Sequence, residues 1–319
     1  MDKKVLAKQI VSIFGIVSFF VVTNVFIYFV FTNRCINDFS NQMQAKSVEV
    51  DEYLPFAKET KIIKKEATKL EGDLPVIDGA AALVPVFNSF VYSLYPESSV
   101  KYENGDFTSD SVLQYHNTRG AYKGIVDGDI DIAFCAKPSD EQVQYGLDKG
   151  IELELIPIGR EAFVFLVNKN NPVDNLSMQQ LKDIYSGKIT NWKDVGGANR
   201  PINVVQRNQG SGSQTTLEKL FGKDIASNFF GPFGASIGFS FRFYVEELTK
   251  HGHIKMLELN DVYPSKENVQ NESYPIVSNF YAVIRKGEME SNSNIKKVID
   301  FILSPTGQDI IDEIGYVRK

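Results

Sequence analysis

The chain has 319 residues, 43% of them apolar and 23% charged, with a formal charge of −6 at pH 7. Those proportions exclude a disordered or collagen-like chain, and the acidic balance argues against nucleic acid as a partner. Two cysteines (Cys35, Cys135) and three histidines (His116, His251, His253) exclude a disulfide framework and a four-cysteine zinc site, and no cofactor is expected.

One stretch departs from the globular pattern. Residues 10–32 carry no charge, and about 20 apolar residues cross a bilayer as a helix. Lys3, Lys4 and Lys8 precede the stretch, so the positive-inside rule keeps residues 1–9 cytoplasmic and exports the rest. The run ends in Phe29-Val30-Phe31, without the small residues of a cleavage site, which favours an uncleaved single-pass anchor in the cell membrane. Cys35 raises the alternative of a lipidated, cleaved form, but Thr32-Asn33-Arg34 before it are not small and apolar. Residues 33–72 are mixed in charge, for example Lys58-Glu59-Thr60-Lys61, and read as a solvated stalk.

From Asp73 onwards strands and helices alternate. Leu74–Gly79 reads as a short strand, and Ala80–Tyr95 as a helix with Pro85 in its first turn. Ser111–His116 reads as a strand, Gly120–Asp127 as a helix and Ile130–Cys135 as a buried strand. Ser139 is an N-cap for the next helix. Glu161–Val167 is a longer apolar strand, ended by Asn170-Asn171-Pro172, and Ser177 caps the helix after it. Ile202–Gln206 is a strand that runs into a glycine–serine turn and a helix from about Gln214. Tyr274–Ile284 is strand-like, Asn294–Leu303 is a helix, and Ser304-Pro305 starts a final one. Such alternation argues for an α/β fold with a parallel sheet covered by helices.

The segment with most chemistry is Arg207-Asn208-Gln209-Gly210-Ser211-Gly212-Ser213. Two glycines let the backbone turn tightly and approach a ligand, and a helix start offers free N–H groups and a positive dipole end. Ser211 and Ser213 add hydroxyl donors, and Arg207 adds a planar cationic fork suited to oxyanions. No Lys follows the last glycine, so this is not a P-loop. Asp78–Leu83, with Ala81 and Ala82, and Thr118–Ala121 are two further strand-to-helix turns. Ligands of open α/β sheets sit at such turns, so the three could converge on one ligand.

Four runs resemble the phosphate-binding proteins of ABC transporters. Asn175–Trp192 is similar to that family's "LT-x-x-x-L-x-x-I-(Y/F)-x-G-x-I-x-x-W" segment, and Arg207–Ser213 to its R-x-(D/E)-G-S-G-T loop. Gly128–Phe134 resembles its "G-x-x-D-I-x" strand and Phe301–Gln308 its "F-x-L-S-x-x-G-Q" ending. The matches run in order from about residue 74 to 319, with residues 1–72 outside them. The resemblance implies a two-lobed type II periplasmic-binding-protein fold, with two crossing strands as hinge near Arg160–Val167 and Ile276–Ile284 and a ligand enclosed between the lobes. Residues 73–162 plus 280–319 then form lobe I and residues 163–279 lobe II.

Carried over by residue, the resemblance puts Arg207, Gly210, Ser211, Gly212 and Ser213 on the anion, with Thr118 opposite at the place of a family serine. Ala81 and Ala82 occupy the first loop, where the family offers a hydroxyl, and Gln209 the acidic position of the anion loop. Cys135-Ala136-Lys137 carries no carboxylate where the phosphate binders often have an aspartate. A carboxylate there accepts the proton of hydrogen phosphate and rejects sulfate, and its loss removes that test. Lys137 reads as a solvated lysine.

The function implied is a non-catalytic, extracytoplasmic solute-binding protein that captures an oxyanion, phosphate first, for an ABC-type permease. A membrane-anchored sensor or interaction domain that kept the fold and lost the ligand is the alternative. A serine hydrolase ranks last, because Gly234-Ala235-Ser236-Ile237-Gly238 fits the nucleophile elbow but leads into an alternating, strand-like run.

Overall fold

A computed structural model describes residues 14–28, 49–226, 235–248 and 252–319. Cys35, His251 and parts of the expected anchor lie outside these residues. Residues 14–28 form an exposed, uncharged helix. Among the described residues no helix is long and apolar enough to cross a membrane.

Eight strands make one sheet: β1 (Ile77–Gly79), β2 (Ile132–Cys135), β3 (Leu153–Asn168), β4 (Ile202–Val204), β5 (Ala235–Phe241), β6 (Ile254–Met256), β7 (Val277–Arg285) and β8 (Val317–Arg318). Its main order is β1-β2-β7-β3-β5-β4, with β8 and β6 also on β3. β1 runs parallel to β2 and β4 parallel to β5, while the central β7 and β3 are antiparallel to their neighbours. The longer helices after residue 49 are α1 (Val84–Leu94), α2 (Asn117–Asp127), α3 (Asp140–Asp148), α4 (Met178–Tyr185), α5 (Gly212–Phe221), α6 (Ser293–Leu303) and α7 (Pro305–Ile314).

β3 holds the two halves together. Its 16 residues span roughly 50 Å at ~3.3 Å each. Leu153–Ala162 pairs with β7, and the end from Phe163 pairs with β5 and β6. The two strands cross between the lobes side by side, where Ala162 faces Val277 and Phe163 N donates to Ile276 O at 3.0 Å. Gly159 faces Phe280 across this pair, and a Cβ there would stand 2.4 Å from the phenyl ring, so only glycine seats it. Two main cores follow. One gathers α1, α6 and α7 around Phe87, Phe90 and Phe134; the other gathers Phe163, Phe165, Tyr185, Trp192 and Phe239. Each large aromatic removes on the order of 150–250 Å² from water, enough for each lobe to hold its own core.

Three expectations need correction. The sheet is mixed and not parallel, because β7 and β3 run antiparallel to their neighbours at its centre. Residues 49–72 are not a solvated stalk. Tyr53, Ile62 and Leu70 are buried in the lobe I core, and the backbone is tied down by Ser89 Oγ accepting from Ile63 N and by Leu70 N donating to Leu94 O. Ser111–His116 is not a strand either. A single bridge links Leu113 to Ile77, and the polar side chains then turn the chain: Ser111 Oγ accepts from Lys101 N and Leu113 N, and Gln114 Nε2 donates to Thr108 O and Ser111 O.

Candidate functional site

Between the lobes lies a cleft of about 830 Å³. Of the residues expected to bind, Arg207, Ser211, Gly212, Ser213, Thr118, Ala81 and Ala82 line it. Gln209 and Gly210 do not: Gln209 is exposed, and Gly210 turns its carbonyl to Gln142 Nε2 of lobe I at 3.1 Å. Gly210 takes φ +74°, the left-handed conformation that sends the chain from the Arg207 loop into α5. Lys137 is exposed and outside the cleft lining.

The anion loop is built by α5. Ser211 caps the helix by accepting from Gln214 N at 3.3 Å. Gln214, fully buried, accepts from Arg207 N at 2.8 Å and donates to Gln206 and Glu218, which locks the loop to the first helical turn. The helix starts at Gly212, two residues before the expected Gln214, so both Gly212 and Ser213 stand on the dipole end. Ser213 is 6% exposed. The Arg207 guanidinium, largely buried, has no ion pair among the described residues, and burial pushes its pKa down from the ordinary value. A buried cation without an anion is the signature of a site that waits for one.

Lobe I brings two more turns to the same place. A methyl on Gly212 would stand 3.4 Å from Ala136 Cβ and 3.5 Å from Thr118 Oγ1, so the starts of α2 and α5 face each other at close range. Asp78 organises this side. Its buried carboxylate accepts from Gly79 N, His116 N and His116 Nδ1 at 2.6, 2.9 and 2.8 Å, joining the turn after β1 to the turn before α2. Asn117, next to it, takes φ +58°, which asparagine tolerates better than most residues. Beneath Thr118 lies the free Cys135, fully buried, whose thiol pKa is pushed well up by burial, which makes it a packing group. The lobes also touch at the rim: Lys219 Nζ donates to Pro138 O at 2.7 Å, and Lys223 pairs with Glu141 at 3.0 Å and Asp140 at 3.3 Å.

Three parts of the site carried no signal in the sequence. His116 lines the cleft and is held by Asp78. Glu161, at the crossing of β3, also lines it. It accepts from Arg242 Nε at 3.0 Å, Ala162 N at 2.8 Å and Phe243 N at 3.2 Å, so its carboxylate is committed. Beside the committed Glu161 the wall by the hinge carries the rings of Phe241, Tyr244 and Phe280. Ser236, by contrast, sits inside β5 opposite Asn203, not on a strand-to-helix turn.

The Asp78–His116 pair has a pH signature. Its hydrogen bond raises the His116 pKa, and partial burial works the other way. A raised folded pKa stabilises below the unfolded value of ~6.5 and the gain is lost as pH rises through the folded value. The thermal midpoint of the protein is therefore expected to fall between pH 6 and pH 8, with a flatter profile in His116→Gln. An identical slope in the variant would refute this.

Comparison with known proteins agrees with the geometry. A family model described as a PBP superfamily domain matches residues 76–306. The chain is 29% identical over 219 residues to the phosphate-binding protein PstS of Staphylococcus aureus (strain USA300), covering 63% of this chain and 67% of that one. The fold is similar to the crystal structure of a putative phosphate ABC transporter substrate-binding protein with bound phosphate from Clostridium perfringens, at TM-score 0.56 and 27% identity, over 77% of this chain and all of that one. An ABC-type phosphate transport receptor from Vibrio cholerae shares the fold at TM-score 0.54 and 20% identity, over 77% of this chain and 100% of that one.

Proposed function

The chain belongs to the PBP superfamily, and on that premise we propose that it is an extracytoplasmic solute-binding protein that captures a phosphate-type oxyanion between its lobes and delivers it to an ABC-type permease. The observation that carries this reading is the meeting of two helix starts, α2 with Thr118 and α5 with Gly212 and Ser213, beside the unpaired Arg207 guanidinium in one interlobe cleft. Such a corner has donors and positive charge but no free carboxylate, which is what an oxyanion requires. Its work is differential binding and lobe closure, with no bond made or broken. The relatives named above, described as phosphate-binding or phosphate-transport proteins, support phosphate as the group recognised and a permease as the recipient.

Titration calorimetry of the full-length protein with inorganic phosphate tests the reading, and saturable binding is expected. No binding of phosphate, sulfate or a phosphate ester at millimolar concentration would leave the ligand-less sensor in its place. The uncharged run 10–32, of which residues 14–28 are an exposed helix, supports a single-pass anchor that keeps the domain at the membrane. The full-length mass is expected in the membrane fraction with Met1 or Asp2 retained; a soluble form starting near residue 33–36 would contradict it.

A further inference from the structure

The cleft is larger than an inorganic anion needs. A tetrahedral oxyanion has five heavy atoms, and if each takes no more than the ~30 Å³ share of a water molecule it fills at most roughly 150 Å³. The cleft of about 830 Å³ lies instead in the range that holds organic ligands of ~300–1,000 Å³. Its chemistry is also divided. The Arg207 end is cationic and rich in N–H groups. The hinge end offers neutral groups: the Ser240 hydroxyl on β5, Ser278 and Asn279 on β7, and the ring of Phe241.

Ser240 is the informative residue there. It is 5% exposed as a residue and lines the cleft. Its hydroxyl is not among the side-chain atoms buried without a partner, so it faces the cleft, where a ligand's polar group can take the place of water. The Asn279 side chain, on the strand that crosses between the lobes, is exposed to the cleft and makes no hydrogen bond among the described residues. Aromatic rings beside hydroxyl and amide groups suit a compact polyol, whose C–H faces pack on rings while its hydroxyls exchange hydrogen bonds.

Proton chemistry points the same way. Inorganic phosphate carries at least one proton near neutral pH and needs an acceptor for it. Ala136, from the Cys135-Ala136-Lys137 loop that carries no carboxylate, lines the cleft, and Glu161 is taken up by Arg242 and two backbone N–H groups. A phosphate monoester, with its second ionisation near ~6, is a proton-free dianion above neutrality and suits a corner of N–H groups, hydroxyls and a guanidinium that has no free carboxylate.

We propose that the phosphate taken by this cleft is esterified: the ligand is a phosphomonoester of a small polyhydroxylated compound, with its phosphate at Arg207 and the start of α5 and its organic part along the hinge beside Ser240, Asn279 and Phe241. This rests on the oxyanion-binding reading above and adds to it the class of ligand.

The test is calorimetric titration of the full-length protein with inorganic phosphate, glycerol 3-phosphate, glucose 6-phosphate and free glucose, repeated on Ser240→Ala and Asn279→Ala. At least one ester is expected to bind about tenfold or more tightly than inorganic phosphate, with glucose weaker than either. Each substitution removes a neutral hydrogen bond, so each lowers the ester's affinity by ~3- to ~10-fold and narrows its advantage over inorganic phosphate. Inorganic phosphate binding tighter than both esters overturns this inference and leaves oxyanion capture standing. An ester advantage that both substitutions leave untouched also overturns it, because the organic part would then lie elsewhere. No binding of any anion overturns the oxyanion reading itself.

Discussion

Arg207→Ala is expected to weaken anion binding by at least ~10-fold and up to ~100-fold. The guanidinium is the largely buried cation at the start of α5, and without it the anion loses a two-pronged, charge-assisted contact. Hydrogen bonds to charged groups contribute about 1.5–3 kcal/mol each, and ~1.4 kcal/mol is a factor of ten in affinity. Arg207→Lys keeps the charge and loses the planar fork, so it recovers part of the affinity. The ligand-free protein is expected to behave in the opposite sense. Removing a buried cation that has no ion pair relieves a desolvation cost, so the thermal midpoint without ligand stays level or rises. A variant that loses binding and stability together would show that Arg207 holds the loop and not the ligand.

The anion loop was legible because its chemistry is local. Arg207, Ser211, Gly212 and Ser213 lie within seven residues of one another, and a glycine–serine turn between an apolar strand and a helix has a direct physical reading. The capping boxes Ser139–Gln142 and Ser177–Gln180 were legible for the same reason: each links residues three apart. The limits are equally physical. Gln209 and Gly210 belong to the loop by sequence, yet the turn at Gly210 faces lobe I and leaves both outside the cleft lining. Residues 49–72 bury single apolar side chains from an irregular chain, with neither the period of a helix nor that of a strand, so the charges between them dominate the pattern. Asp78 meets His116 across 38 positions, and Glu161 meets Arg242 across 81. No spacing rule reaches that far. Both pairs come from the sheet order, which lays β1 beside the turn before α2 and β3 beside β5.

Arg242→Ala is the substitution expected to cost most in stability. Arg242 and Glu161 are both nearly enclosed where the lobes meet. The guanidinium also reaches Glu246 at 2.5 Å and Gly315 O at 2.6 Å, so one side chain ties β5 to β3 and to the end of α7. Burial pushes the Glu161 carboxyl up to about 7, with Arg242 and the N–H groups of Ala162 and Phe243 acting in the other direction. Taking Arg242 away leaves the carboxylate buried without its cation, and such a loss costs about 3–5 kcal/mol. The cost depends on pH with a definite sign. A carboxyl whose folded pKa lies above its unfolded value of ~4.3 gains protons on folding, so stability falls as pH rises from there through the folded value. Without Arg242 the folded value climbs further, so the variant is hurt more at pH 8 than at pH 5, where Glu161 becomes neutral. Urea unfolding followed by fluorescence of Trp192, the single tryptophan and 1% exposed in lobe II, reads the change directly. The double variant Glu161→Gln, Arg242→Met removes both charges and is expected to recover much of the loss. If the double variant is as unstable as Arg242→Ala at pH 8, the penalty comes from the lost contacts to Glu246 and Gly315 and not from a stranded carboxylate.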